Sequence, residues 1–121
     1  HESNGFQMML VPTCGAVVTA ALGCLGFLFP NAVGRVLGIN SVEPLGVSEL
    51  RATYGGFFTC LGIACLVLQS VPAFTVVGAA WCAAAVARLA SSILDGSRSW
   101  KNMAGIGFEA GVGLAMLAAR L

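Results

Sequence analysis

Charge is what this chain has least of. Six Lys or Arg and five Asp or Glu make up 9% of its 121 residues. No charged residue stands between Ala52 and Ala87. Soluble domains carry about 25% charge, so an ordinary water-facing surface is excluded. The basic residues Arg35, Arg51, Arg88, Arg98, Lys101 and Arg120 form no stripe, and the net charge is +1. That excludes a nucleic-acid-binding field, and no nucleic-acid partner is expected. Histidine is nearly missing as well, because His1 is the single one. No Ser-His-Asp or Cys-His set can form inside an apolar segment, and the acids have no metal-ligand spacing. No catalytic or metal residues are therefore expected, and no enzyme. The five cysteines, Cys14, Cys24, Cys60, Cys65 and Cys82, contain no C-x-x-C pair. They read as soft packing residues in apolar helices. The chain starts at His1 rather than Met, and His1–Gln7 lacks the basic region of a signal peptide. Processing, or a missing N-terminal piece, is the expectation.

What the chain does have is length of apolar sequence. Hydrophobic residues make up 58%, and mean hydropathy is +0.91. A membrane-spanning helix needs about 20 apolar residues at 1.5 Å each. Four fit: about Met8–Phe29, Glu49–Leu68, Pro72–Leu94 and Trp100–Arg120. Pro30 stops the first. Val33, Val36 and Leu37 mark a short interfacial helix in the connection. Gly34, Gly38, Asn40 and Pro44 argue against a longer one. Ser48 is the expected N-cap of the second span, with Glu49 at its positive dipole end. Gln69-Ser70-Val71-Pro72 is the break in the uncharged stretch, and Ser70 can cap the third span. Asp95-Gly96-Ser97-Arg98-Ser99 is a polar turn, and Trp100 and Lys101 look like interfacial anchors.

The expected fold is all-α: one integral-membrane, four-helix antiparallel domain over residues 1–121, both termini on one side. The basic connections, residues 30–48 and 95–102, then lie on the positive side, meaning cytoplasm, stroma or matrix. Small residues at four-residue spacing mark helix-packing faces: Gly15, Thr19 and Gly23; Gly55 and Thr59; Gly56, Cys60 and Ala64. Ala79, Ala83 and Ala87 do so on the third span, and Gly107, Gly111, Ala115 and Ala119 on the fourth.

The few charges inside apolar segments need partners. Arg88 lies seven residues before Asp95, about 10 Å inside the third span. Glu109 lies at similar depth in the fourth, across a short turn, so the two are an expected ion pair. Arg51 opposes the dipole at the start of the second span, and Asp95 is its expected acid. Glu49 can complete the network, and Tyr54 can add a phenol donor. Glu49, Arg51, Tyr54, Arg88, Asp95 and Glu109 thus form the candidate cluster. It reads as a structural lock between helices, with a polar pocket for an anion, lipid headgroup or proton as the alternative.

Glu49-Leu50-Arg51-Ala52-Thr53-Tyr54-Gly55-Gly56 resembles the E-L-R-A-x-Y-G-G segment of an uncharacterised membrane family, domain of unknown function 4345. Phe27-Leu28-Phe29-Pro30 followed by Leu37-Gly38-Ile39 agrees, as do Arg88-Leu89-Ala90-Ser91, Asp95-Gly96 and the acid Glu109. The resemblance covers about Ala16–Leu117. It implies a small four-helix integral membrane protein and carries no established activity. The Cys, Gly and Ala richness departs from the family pattern.

Small size, missing catalytic groups and surplus small-residue faces lead to one functional expectation. It is a non-catalytic accessory subunit of a larger energy-transducing membrane complex, a photosystem or antenna before a respiratory complex. The thylakoid is the expected membrane, with the mitochondrial inner membrane second. Other membrane subunits and lipids are the expected partners. No cofactor is required. Without an intramembrane His, any chlorophyll would be peripheral, on Glu109, Gln69 or a bridging water, while carotenoid needs only an apolar groove. The alternative is a small transporter or ligand-binding membrane protein that uses the Arg51, Arg88, Asp95 and Glu109 cluster.

Overall fold

The computed structural model describes residues 2–39 and 43–121, with side chains from Met9 onward. His1 and Asn40 lie outside the described residues. The described chain is helical, without a strand: α1 (Glu2–Leu28), α2 (Pro30–Leu37), α3 (Pro44–Arg51), a π-helical turn (Ala52–Phe57), α4 (Phe58–Leu68), α5 (Val71–Leu94) and α6 (Trp100–Leu117), closed by a 3-10 turn (Ala118–Arg120). Four stretches are long and apolar enough to cross a membrane: Met9–Leu28, Pro44–Leu68, Val71–Leu94 and Trp100–Arg120. A third or less of each is buried within the chain. Leu10, Phe27, Val67, Val76, Leu94 and Leu114 are among the exposed apolar side chains, a surface suited to lipid rather than water.

The helix boundaries follow local chemistry. The first helix begins at Glu2, ahead of the expected Met8, and Pro12 is accommodated inside it. Gly38 ends α2 at φ 77, with Ile39 N–H donating to Gly34 O (2.7 Å) and Gly38 N–H to Arg35 O (3.2 Å). This is the paired bonding of a left-handed glycine cap. The buried residues of α2 are Pro30 and Gly34, whereas the expected stripe residue Val36 is exposed.

The second span corrects the sequence reading. It begins at Pro44, not Glu49, and extended Glu43 is its N-cap. Proline breaks a helix from inside but suits its first position, where φ is already set and the N–H has no partner. Ser48 is therefore within the helix and caps nothing. Arg51 sits in the last turn of α3, not in a first turn against the dipole.

Ser70 accepts from Ala73 N–H at 3.3 Å and starts α5, as the sequence predicts. Ser99 does the same for α6, accepting from Asn102 N–H at 3.2 Å. Ser70→Ala should cost about 1 kcal/mol of stability, measured by unfolding the purified chain in detergent.

Cα packing divides the chain into two units, Ala16–Val67 and the remainder, His1–Gly15 with Leu68–Leu121. In the first, α1 runs antiparallel to the π turn and α4. Gly26 abuts the Tyr54 carbonyl, Gly23 abuts Thr59, and Gly62 abuts Ala20 and the Ala16 carbonyl. Ala16, Thr19, Leu50 and Cys65 are buried there. In the second, α5 and α6 are antiparallel: Gly78 meets Met116 and the Gly113 carbonyl, and Gly113 meets Cys82. Trp81 packs edge-on against Phe108, centroids 6.1 Å apart. Phe74 and Met116 are fully buried, and Gly15 of α1 faces Met116.

The packing faces are not all those the spacing marked. Gly15, Gly23 and Gly55 meet neighbouring helices, Gly55 against Phe27. Among the described residues, an added Cβ at Gly107 or Gly111 would meet no neighbouring element within 4 Å, and at Gly56 only the Arg51 carbonyl at 3.9 Å. On α5 the stripe Ala79, Ala83 and Ala87 is exposed. The buried face is Phe74, Val77, Gly78, Trp81, Ala85 and Ser92. Aromatic rings bury more area than alanine methyls, so they choose the face. All five cysteines are free thiols; Cys65 is buried, while Cys14, Cys24 and Cys60 are exposed rather than packed.

Candidate functional site

The candidate charged residues fall in two places, one in each unit. The first lies at the turn between α5 and α6. Arg88 continues the buried face of α5, three residues after Ala85 and four before Ser92. Glu109 is buried on α6, on the face shared with Val112, Gly113 and Met116. Arg88 Nε donates to Glu109 Oε1 at 2.5 Å, a charge-assisted bond. Among the described residues this is the ion pair that forms. The carboxylate is the more enclosed partner: side-chain exposure is 34% for Arg88 and 12% for Glu109.

The surroundings fix the guanidinium. Arg88 Nη1 donates to Asn102 Oδ1 at 3.3 Å, and Asn102 Nδ2 donates to Ser97 O at 2.8 Å. Gly105 provides the space: a Cβ there would come within 3.1 Å of Arg88 Nε and 3.4 Å of Cζ. Asn102, Gly105 and Glu109 follow i, i+3, i+7 spacing, so one face of α6 is built to receive one arginine. Arg98 Nε donates back to Ser92 O at 3.2 Å, and Ser92 Oγ donates to Leu89 O at 2.6 Å. These bonds tie the polar turn to the end of α5.

Asp95 and Arg51 have local partners. Asp95 Oδ2 accepts from Ser91 Oγ at 2.7 Å, one helical turn back. Arg51 lies over the Phe27 ring, 5.5 Å from its centroid. Tyr54 packs edge-on against Phe58 at 5.7 Å. Glu49 is exposed. Of the six residues expected to cluster, Arg88 and Glu109 are joined by a salt bridge within one unit. A hydroxyl four residues away satisfies a carboxylate at lower conformational cost than a distant arginine does. An aromatic face does the same for the guanidinium.

The second place is an open groove of about 810 Å³ beside Arg51. Phe27, Pro44, Val47, Ser48, Arg51 and Gly56 line it. It adjoins the π-helical turn that carries the Ala52–Gly56 part of the family-like motif. π-helical turns recur at functional sites because they re-aim side chains by one inserted residue.

The arrangement at Arg88 can hold two helices in register and keep a charge pair in an apolar setting. Sequence reasoning found the pair and missed Asn102, Gly105, Ser91 and Ser92. Their helical spacing from Glu109 and Arg88 was the available signal.

A family model described as a domain of unknown function (DUF4345) matches residues 8–119, and the chain belongs to that family. No curated protein and no solved structure matches the chain.

Proposed function

We propose that this DUF4345 chain is a non-catalytic accessory subunit, which adds helices to a larger membrane complex and is joined to it through α6. The observation that carries this reading is the open face at Gly107 and Gly111, where no neighbouring element among the described residues lies within 4 Å of an added Cβ. Each glycine in mid-helix costs about 1 kcal/mol relative to alanine. Gly113, on the other side of α6, recovers such a cost by close contact with Cys82. Gly107 and Gly111 recover it against another helix from outside the chain, since small residues let backbones approach in lipid. The Arg88–Glu109 pair fits the same role, because it holds α5 and α6 as one rigid surface.

The complex we favour is energy-transducing, a photosystem or antenna before a respiratory assembly. The composition of the particle that copurifies with the chain discriminates these. The double variant Gly107→Leu/Gly111→Leu should unfold above the wild-type temperature when purified alone, since leucine is the better helix former, yet migrate apart from the complex on a native gel. A wild-type chain that purifies from its membrane as a monodisperse species without partners would sink the reading.

A further inference from the structure

We infer that the groove beside Arg51 binds one acidic phospholipid, with the headgroup phosphate on Arg51 and Ser48 and an acyl chain along Phe27 and Gly56. This does not rest on the subunit reading, which concerns α6.

The groove is set by where α3 starts. Because the helix begins at Pro44, positions 44, 47, 48 and 51 recur on one face at i, i+3, i+4 and i+7. That face is graded in polarity. Pro44 and Val47 are apolar, Ser48 offers a hydroxyl, and Arg51 offers a cation. Phe27 and Gly56 continue it as an apolar channel. At Gly56 a Cβ would find only the Arg51 carbonyl, at 3.9 Å, so the floor is open to a methylene chain.

Charge selects the occupant. Among the described residues of its own unit no carboxylate pairs with Arg51, and its partner is the Phe27 ring. An aromatic face occupies one side of a guanidinium and leaves N–H donors free at its edge. Those donors match the oxygens of a phosphate two at a time. Glu49 is two residues back, about 200° around the helix, and faces away from Arg51. Glu43 precedes the helix and is exposed.

Depth agrees with charge. Arg51 is seven residues into the span that starts at Pro44, about 10 Å along the axis. The interfacial layers together account for roughly 10–15 Å of a bilayer's thickness. Side-chain reach therefore brings the guanidinium to the border of headgroups and acyl chains. A cation there needs a counter-charge, and an acidic lipid carries one on a tail that fits the apolar part of the groove.

The test uses the full chain, purified, delipidated and offered phosphatidylglycerol and phosphatidylcholine with identical acyl chains. Native mass spectrometry reads the lipid retained. Wild type should keep one phosphatidylglycerol in clear preference to phosphatidylcholine, whose phosphate has the same oxygens but whose choline cancels the charge that Arg51 attracts. Arg51→Gln should lose the preference. Gly56→Leu, which keeps the charge and fills the floor, should lose the lipid altogether. Arg35→Gln, at an exposed cation on α2, should behave as wild type. Equal retention of the two lipids by wild type overturns the proposal without recourse to any variant. So does phosphatidylglycerol binding that survives both groove variants. Displacement of the lipid by excess inorganic phosphate would make this a free-anion site, and a lipid-free dimer would give the groove to a second copy; either result also overturns it.

Discussion

Arg88→Leu and Glu109→Leu should each lower the stability of the purified chain by about 2–4 kcal/mol, and the double variant should recover most of the loss. Removing one member of a buried ion pair strands the other, at roughly 3–5 kcal/mol when both are fully enclosed. Arg88 is one-third exposed, so part of that cost is relieved and the expected range is lower. The two single losses arise differently. A carboxyl left alone can bind a proton and shed its charge, whereas a guanidinium cannot. Arg88 left alone still has Asn102 Oδ1 as an acceptor and can lean toward the headgroups. In the double variant no charge remains to be stranded, and two leucines fill similar volume in a setting that favours them.

The informative quantity is the coupling in the double-mutant cycle, read from reversible unfolding in mixed micelles. A coupling of about 2 kcal/mol or more identifies the pair as a lock between α5 and α6. Single variants with wild-type stability would remove the lock. So would a double variant whose loss equals the sum of the two singles.

That pair was legible in the sequence because two simple quantities agreed. Arg88 and Glu109 lie at matching depth on either side of a short polar turn, and a charge at that depth needs a partner. The spans were legible for a similar reason: apolar length, Pro30 and the Gln69–Pro72 break leave few alternatives. The start of the second span was not, because Pro44 has opposite meanings inside a helix and at its first position. That one displacement moved Arg51 from a first turn to a last one and hid the groove, whose lining shares a face only if the helix begins at Pro44. The π-helical turn leaves no periodic signal in six residues. Small-residue stripes were ambiguous because α5 and α6 carry such residues on more than one face. Spacing finds the stripes, but bulk decides which face is buried: Phe74 and Trp81 on α5, Val112 and Met116 on α6.

Gly26→Ala should cost about 3 kcal/mol, although alanine is the better helix former. A Cβ at Gly26 would run into the Tyr54 carbonyl and carbon, which are backbone atoms of the π-helical turn. A flexible side chain in that place would swing aside, but a carbonyl moves only if its helix does. Separating α1 from the π turn and α4 loosens the neighbouring contacts, Gly23 on Thr59 and Gly62 on Ala20. Dispersion between closely spaced backbones is a main source of helix association in lipid, where no hydrophobic force brings helices together. Overpacking costs typically 1–3 kcal/mol, and the upper end applies because the obstruction is backbone. Gly107→Ala is the control, since it gains the same intrinsic helix preference of about 1 kcal/mol and meets nothing within 4 Å. The two alanine variants should therefore shift the unfolding midpoint in opposite directions. If Gly26→Ala is instead as stable as wild type, α1 and the π-helical turn are not in close backbone contact. The family-like Tyr54-Gly55-Gly56 segment would then need an explanation other than packing against Gly26.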